Sequence, residues 1–212
     1  MSKLIKIGLT GGIASGKSTI LGYLKELNIK CIDADKIGHS CYQKGRPSYY
    51  KIIQEFGEDI VNKNDESIDR AKLGPIVFSD PNKMKALTNI VWPEMRDIIS
   101  QEFKEMEEAN QDRIVVLEAA VLIEGGFLNL VDRVWVTSVP REVAIERIVK
   151  RNNLSETDAA KRIDSQLTNE ERAKYANVVF HTNDEYSVTK NKVINEIKSL
   201  LEDTNNSSNQ NN

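Results

Sequence analysis

Residues Gly11-Gly12-Ile13-Ala14-Ser15-Gly16-Lys17-Ser18 bring glycines, a lysine and a hydroxyl together in the order G-x-x-x-x-G-K-[ST]. Glycines at these positions let the backbone close tightly enough for successive N–H groups to face a phosphate, where side chains would block the approach. Lys17 then brings positive charge to the β- and γ-phosphates, and Ser18 offers a hydroxyl to Mg²⁺. A helix beginning near Gly16 adds unpaired N–H groups and its positive dipole end. An ordinary glycine turn accounts for Gly11 and Gly12 but gives no reason for Lys17-Ser18. These residues suit the binding of ATP with Mg²⁺.

Such a loop works only at the carboxyl end of a strand, and the flanking sequence supplies one. An apolar run at 4–10 precedes the loop and an amphipathic segment at 17–27 follows it. Further β-branched runs recur at 29–32, 114–117, 134–137 and 178–180, with helical periodicity between them. Strands alternating with helices predict an α/β fold in which a parallel sheet is covered by helices. Ligands of such a sheet bind beyond the carboxyl ends of its strands, so functional residues should follow strands.

Asp33-Ala34-Asp35 follows the second predicted strand. Asp33 is therefore placed to accept a proton from an acceptor hydroxyl that attacks a γ-phosphate, while Asp35 caps the next helix or orients the acceptor. The alternative for Asp33 is also a helix cap. Glu118 ends the third strand, where an acidic residue linked to Mg²⁺ commonly lies in phosphate-loop proteins, and it could equally cap Ala119-Ala120. Glu124 is read as structural or substrate-facing.

About 34–110, the connection to the third strand, is far longer than one crossover needs and reads as a helical substrate-binding insertion. Within it, 84–108 is helical in pattern but carries Trp92-Pro93, where the missing N–H should start or kink a helix. About 141–168 reads as a lid of two helices, 141–151 and 156–166, the latter with Ser155 as N-cap. Arg147 and Arg151 share one face of the first lid helix at i, i+4 spacing and are expected to form a phosphate clamp, the alternative being a solvated face, with Arg162 available from the second.

Asn62-Lys63-Asn64-Asp65 fits the guanine-reading pattern N-K-x-D, but it lies in a polar segment before the third strand with no D-x-x-G ahead of it, so a solvated turn is expected. His39 and His181 have no partner at metal-ligand spacing, and Trp92 and Trp135 read as packing residues.

The whole chain sets outer bounds. Its 212 residues, 40% of them hydrophobic, suit one domain with insertions, about 1–202, followed at 203–212 by a polar stretch expected to be disordered. A net charge of −3 gives no general attraction to nucleic acid or anionic membranes. Cys31 and Cys41 lack metal or redox spacing, which favours a reducing, cytoplasmic setting. Lys3 and Lys6 flank an apolar run too short for a signal peptide, and no run has transmembrane length. The expected partner is a small molecule, and the chain is read as a monomer or weak homo-oligomer.

Several blocks together resemble the dephospho-coenzyme A kinase family over nearly the full length. They are Gly8-Leu9-Thr10-Gly11-Gly12-Ile13 with Gly16-Lys17-Ser18, Asp33-Ala34-Asp35, Val77-Phe78-Ser79-Asp80-Pro81, and then Arg147, Arg151-Asn152, Leu154-Ser155, Ala159, Arg162-Ile163 and Gln166. The resemblance implies a P-loop kinase fold with an arginine-bearing lid and transfer of the ATP γ-phosphate to the ribose 3′-hydroxyl of dephospho-coenzyme A, the last step of coenzyme A synthesis. It implies Asp33 as base, Lys17, Arg147 and Arg151 as the catalytic cations, and Thr182-Asn183 near the adenine. Trp92-Pro93 replaces the His-Pro of the common bacterial pattern, and Ala120-Val121-Leu122-Ile123-Glu124 replaces its Pro-Leu-Leu-Phe-Glu. Both are similar to the kinase domain of eukaryotic bifunctional coenzyme A synthases. The competing readings are a nucleoside or nucleotide kinase with a smaller acceptor pocket, and a nucleotide-dependent binding switch without transfer.

Overall fold

The structure is a computed structural model and describes residues 3–209. The chain divides into two compact units, one comprising residues to Ile32 and from Glu105 onward, the other Asp33–Lys104.

The first unit is built on a sheet of β1 (Ile5–Gly11), β2 (Lys30–Asp33), β3 (Ile114–Glu118), β4 (Arg133–Ser138) and β5 (Val178–His181), in the order β2-β3-β1-β4-β5. β1 runs parallel to both β3 and β4, and β4 runs parallel to β5. The five expected strands are all present, each with an end within a residue or two of the predicted one. Alternation along β1 explains its two faces. Ile5, Ile7 and Leu9 join Ile20, Tyr23 and Leu24 of α1 (Lys17–Glu26) and Val193 and Ile197 of α9 (Tyr186–Asn209) in one core. Tyr23 and Tyr186 meet edge to face at 4.8 Å, and the Tyr23 hydroxyl donates to the Tyr186 carbonyl at 3.2 Å. On the opposite face of β1, Gly8 leaves room for Leu122: a Cβ at Gly8 would stand 2.6 Å from its side chain.

Trp135 is a packing residue, as its sequence setting suggested. It is fully buried and meets Phe180 edge to face at 5.0 Å. Connecting the later strands are α6 (Arg141–Asn152), α7 (Glu156–Asp164) and α8 (Asn169–Ala173). Ser155 caps α7 by accepting from the Asp158 N–H at 3.1 Å. Arg141 and Asp164 form a bidentate pair that ties the start of α6 to the end of α7. The helix α8 was not foreseen in the sequence. It begins with a reciprocal capping box in which Thr168 accepts from the Glu171 N–H and Glu171 accepts from the Thr168 N–H.

The second unit holds α2 (Ala34–Ser40), α3 (Pro47–Phe56), a short 3₁₀ turn at Glu58–Ile60, α4 (Arg70–Phe78) and most of α5 (Pro81–Ala109). Leu87, Val91, Met95, Ile99 and Phe103 recur at i+4 along the buried stripe of α5. No new helix starts at Pro93, one of the two outcomes expected there, because α5 runs continuously across it. A proline removes one donor and disturbs the carbonyls before it, and here Ser48 at the start of α3 supplies a substitute donor to one of them. The Ser48 hydroxyl donates to the Ile90 carbonyl at 3.1 Å, and the Ser48 N–H donates to Glu94 Oε2 at 2.7 Å. Asn62-Lys63-Asn64-Asp65 is a self-tied turn between the paired residues Val61 and Ile68, with Asp65 accepting from the Ser67 N–H and hydroxyl.

A further difference lies at the carboxyl end of the chain. α9 continues through Asp203 to Asn209, where polar composition led us to expect disorder, while 210–212 lie outside the described residues. Propagating an existing helix adds a backbone hydrogen bond per residue without a new nucleation cost, so a packed helix extends readily into a polar segment.

The two cysteines are unpaired, and burial raises both thiols, Cys41 to about 11. The thiolate is the reactive form, so native protein treated with iodoacetamide near pH 8 should acquire at most one adduct, at half-buried Cys31. Both residues should label after unfolding. Intact-mass and peptide analysis checks this, and native labelling of Cys41 as fast as Cys31 would contradict its placement.

Candidate active site

The loop between β1 and α1 carries the residues that the motif requires, and its backbone has the conformation of an anion nest. Ala14 has φ +58° and Gly16 has φ +91°, both in the left-handed region. No side chain caps the start of α1, so the helix presents an open N-terminus beside Lys17 and Ser18. The Lys17 ammonium reaches back across the loop and donates to the Gly11 carbonyl at 2.9 Å.

A loop that turns N–H groups inward must find partners for the carbonyl oxygens that it turns outward. The Thr182 hydroxyl donates to the Ser15 carbonyl at 2.7 Å, and Arg147 Nη1 donates to the Ala14 carbonyl at 3.1 Å. Arg147 also donates to the Thr182 hydroxyl at 3.1 Å and to its carbonyl at 2.7 Å. The Ser15 hydroxyl, itself buried, lies 2.6 Å from that of Thr137 on β4. Thus β4, the turn after β5 and α6 each contribute a polar group that fixes the loop.

This network changes the expected picture of the arginines. The structure separates Arg147 from Arg151: Arg147 braces the loop, whereas Arg151 is exposed and donates to the neighbouring Asn152 side chain at 3.1 Å. The i, i+4 relation sets their common helix face but not their partners. Arg162 is exposed. Thr182 is likewise committed to the loop through its side chain, and Asn183 beside it is exposed.

Asp33 ends β2 and caps α2, its Oδ1 accepting from the Lys36 N–H at 3.1 Å. The cap is thus Asp33, while Asp35 lies exposed in the first helical turn. The second carboxylate oxygen of Asp33 faces the Lys36 ammonium at a looser 3.7 Å. Glu118 ends β3 in register with Leu9, two residues before the loop begins, and Glu124 Oε1 lies 4.0 Å from Arg172 Nη2. Among the described residues no cluster of three or more His, Cys, Asp or Glu side chains could hold a metal by itself. The exposed Ser18 hydroxyl and the Glu118 carboxylate are hard oxygen donors, which fit a cation whose other ligands are phosphate oxygens and water.

Two residues near the loop carried no role in the sequence reading. Gln166 Oε1 accepts from the Ile13 N–H at 2.9 Å, and Arg172 lies over Gly12 with its side chain almost wholly buried. Both border a cavity of about 490 Å³ that also includes Gly12, Ile13 and Ser15. Burial lowers the pKa of Arg172 below the ordinary arginine value, against the opposing influence of Glu124. The sequence signal for this region was Thr168-x-x-Glu171, a capping box that fixes where the helix bearing Arg172 begins.

The family model for dephospho-CoA kinase matches residues 5–187. A dephospho-CoA kinase of Carboxydothermus hydrogenoformans is 41% identical over 188 residues, covering 89% of this chain and 90% of its own. A solved dephospho-CoA kinase from Campylobacter jejuni superposes with a TM-score of 0.68 at 30% identity, over 92% of this chain and 96% of its own. A Thermus thermophilus crystal structure gives a TM-score of 0.76 at 27% identity, over 94% and 97%.

Gly16 provides a sharp test of the loop geometry. A Cβ there would stand 2.3 Å from the Thr182 hydroxyl oxygen, on a residue already at positive φ. Gly16→Ala should destabilise the protein by about 2 to 5 kcal/mol from backbone strain and overpacking together. Gly22, also in α1, has open space around it, so Gly22→Ala should instead stabilise by up to about 1 kcal/mol through helix propensity. Urea unfolding of both variants measures the contrast, and equal effects would sink this account of Gly16.

Proposed function

The chain belongs to the dephospho-CoA kinase family, and from that premise we propose how its residues divide the work of phosphoryl transfer. The enzyme moves the γ-phosphoryl group of ATP to the ribose 3′-hydroxyl of dephospho-CoA, giving CoA and ADP, the final step of CoA biosynthesis. The observation that carries the reading at the level of the site is the left-handed, cross-braced loop Gly11–Ser18 at the carboxyl end of β1.

The loop amides and the open N-terminus of α1 hold the phosphates, with Lys17 adding charge. Gly11, Gly12, Ile13, Ala14, Ser15 and Gly16 supply the backbone, and Asn183, beside the bracing Thr182, lies toward the adenine. Asp33 takes the proton from the 3′-hydroxyl as that oxygen attacks phosphorus, and the bond from phosphorus to the bridging oxygen of ADP breaks. The helix cap uses one Asp33 oxygen, and the other is held loosely, facing the exposed Lys36 ammonium at 3.7 Å, which supports this role. Arg147 acts by holding the loop in shape, and exposed Arg151 contributes when the lid helices α6 and α7 meet the phosphates. Ser18 and Glu118 would hold Mg²⁺, which when bound would supply charge neutralisation at the phosphates. Asp33–Lys104 serves as the unit that recognises the acceptor.

The enzyme is read as a monomer or weak homo-oligomer. Its free cysteines suit the cytoplasm. No described helix is long and apolar enough to cross a membrane.

ADP release with Mg-ATP should depend on dephospho-CoA, with a product heavier by one phosphate, and adenosine and AMP should be poor acceptors. Efficient phosphorylation of AMP without dephospho-CoA would favour the nucleotide-kinase reading. Asp33→Asn should lower kcat by about 10²- to 10⁴-fold and leave ATP affinity nearly unchanged. Turnover equal to wild type would remove Asp33 from its assigned role.

A further inference from the structure

Arg172 is 2% exposed, yet its cationic head lacks a full set of partners. Its Nη1 donates to the Leu167 carbonyl, and its Nη2 reaches Glu124 Oε1 only at the 4.0 Å limit of an ion pair. Its Nε is buried with no hydrogen-bond partner. Leaving a guanidinium dry and under-bonded is costly, so an arginine in this state has strong affinity for an anion that can enter beside it.

The space beside it is the cavity over the first half of the phosphate loop. A Cβ placed on Gly12 would lie 3.4 Å from Arg172 Nη1 and 4.0 Å from its Cζ, so the guanidinium packs directly over the backbone of Gly12. The arginine is also held in place before any ligand arrives. Its short helix starts with the Thr168–Glu171 capping box, and Asn169 Nδ2 donates to the Val139 carbonyl at 2.8 Å, which fastens the helix start to the end of β4. Rigid placement of a donor fork keeps the ordering cost of anion binding low.

Its neighbours also indicate which phosphate it meets. Gly12 belongs to the loop after β1, and Glu124 to the segment after β3. Glu124 therefore follows the neighbour of β1 on the side away from β5, whose carboxyl end leads to Thr182 and Asn183. A nucleotide with its base near Asn183 and its β-phosphate in the loop extends its terminal phosphate toward β3. We propose that Arg172 is a phosphate-binding catalytic residue that grips the γ-phosphoryl group of ATP from the α8 side. This assignment rests on the reading of the loop as the ATP site. In this arrangement Gln166, which occupies the Ile13 N–H, gives up that N–H to a phosphate oxygen when the nucleotide enters.

The test compares equilibrium binding of ADP and of a β,γ-imido ATP analogue, both with Mg²⁺, to the wild-type chain, Arg172→Lys and Arg172→Met. Loss of one charge-assisted contact should weaken the analogue about 10- to 100-fold in Arg172→Met while ADP affinity is retained. Arg172→Lys should fall between, and kcat should drop further than analogue affinity. Equal weakening of both nucleotides, or no weakening of either, would overturn the assignment. A wild-type chain that binds neither nucleotide would instead overturn the reading of the loop. Should Arg172→Met fail to fold, a crystal structure of the unmodified chain with the analogue decides the matter. A guanidinium nitrogen within about 3.2 Å of a terminal phosphate oxygen supports the proposal, and Arg172 remaining bonded to protein alone overturns it.

Discussion

A backbone that points its N–H groups at an anion must hand its carbonyl oxygens to donors elsewhere, and this requirement organises the nucleotide side of the molecule. The carbonyls of Ala14 and Ser15 are taken by Arg147 and Thr182, which are also bonded to each other. These donors come from α6 and from the turn after β5, distant in sequence but adjacent once β1, β4 and β5 lie side by side. The sheet order is thus what makes the loop conformation affordable. An isolated peptide of the same sequence would have no means of holding Ala14 at positive φ.

The same logic separates two classes of cation around the loop. Arg147 is satisfied by protein acceptors, as a structural brace should be. Arg172 is buried, positioned and incompletely satisfied, which is the condition of a group waiting for a ligand. Chemical identity does not distinguish them, since both are arginines on helices that follow β4. The inventory of their partners does.

Sequence patterns carried the strands and the loop far better than they carried these partners. The run before Gly11 is apolar, short and followed by glycines, so β1 and the loop were legible from local chemistry alone. Ser155 was legible as a cap for the same reason, because a cap is a contact between near neighbours. The continuity of α5 was not, since what supports it across Pro93 is Ser48, more than forty positions away. Arg172 was missed because a charged residue in Asn-Glu-Glu-Arg-Ala reads as a solvated helix face. Only the folded chain shows the guanidinium packed over Gly12 of the loop. The bond from the Thr182 hydroxyl to the Ser15 carbonyl likewise joins residues far apart in sequence. Asp33 was read as base or cap, and its geometry leaves room for both, because a carboxylate has two oxygens.

The close fit of Arg172 over Gly12 separates what position 12 can hold from what it can do. Gly12 is not among the residues at positive φ, so its backbone would tolerate alanine. A methyl there would rest 3.4 Å from Arg172 Nη1, an ordinary contact that leaves the guanidinium in place. Side chains that continue beyond Cβ would have to share the cavity that Gly12, Gln166 and Arg172 border, so growth at position 12 trades directly against room for a ligand.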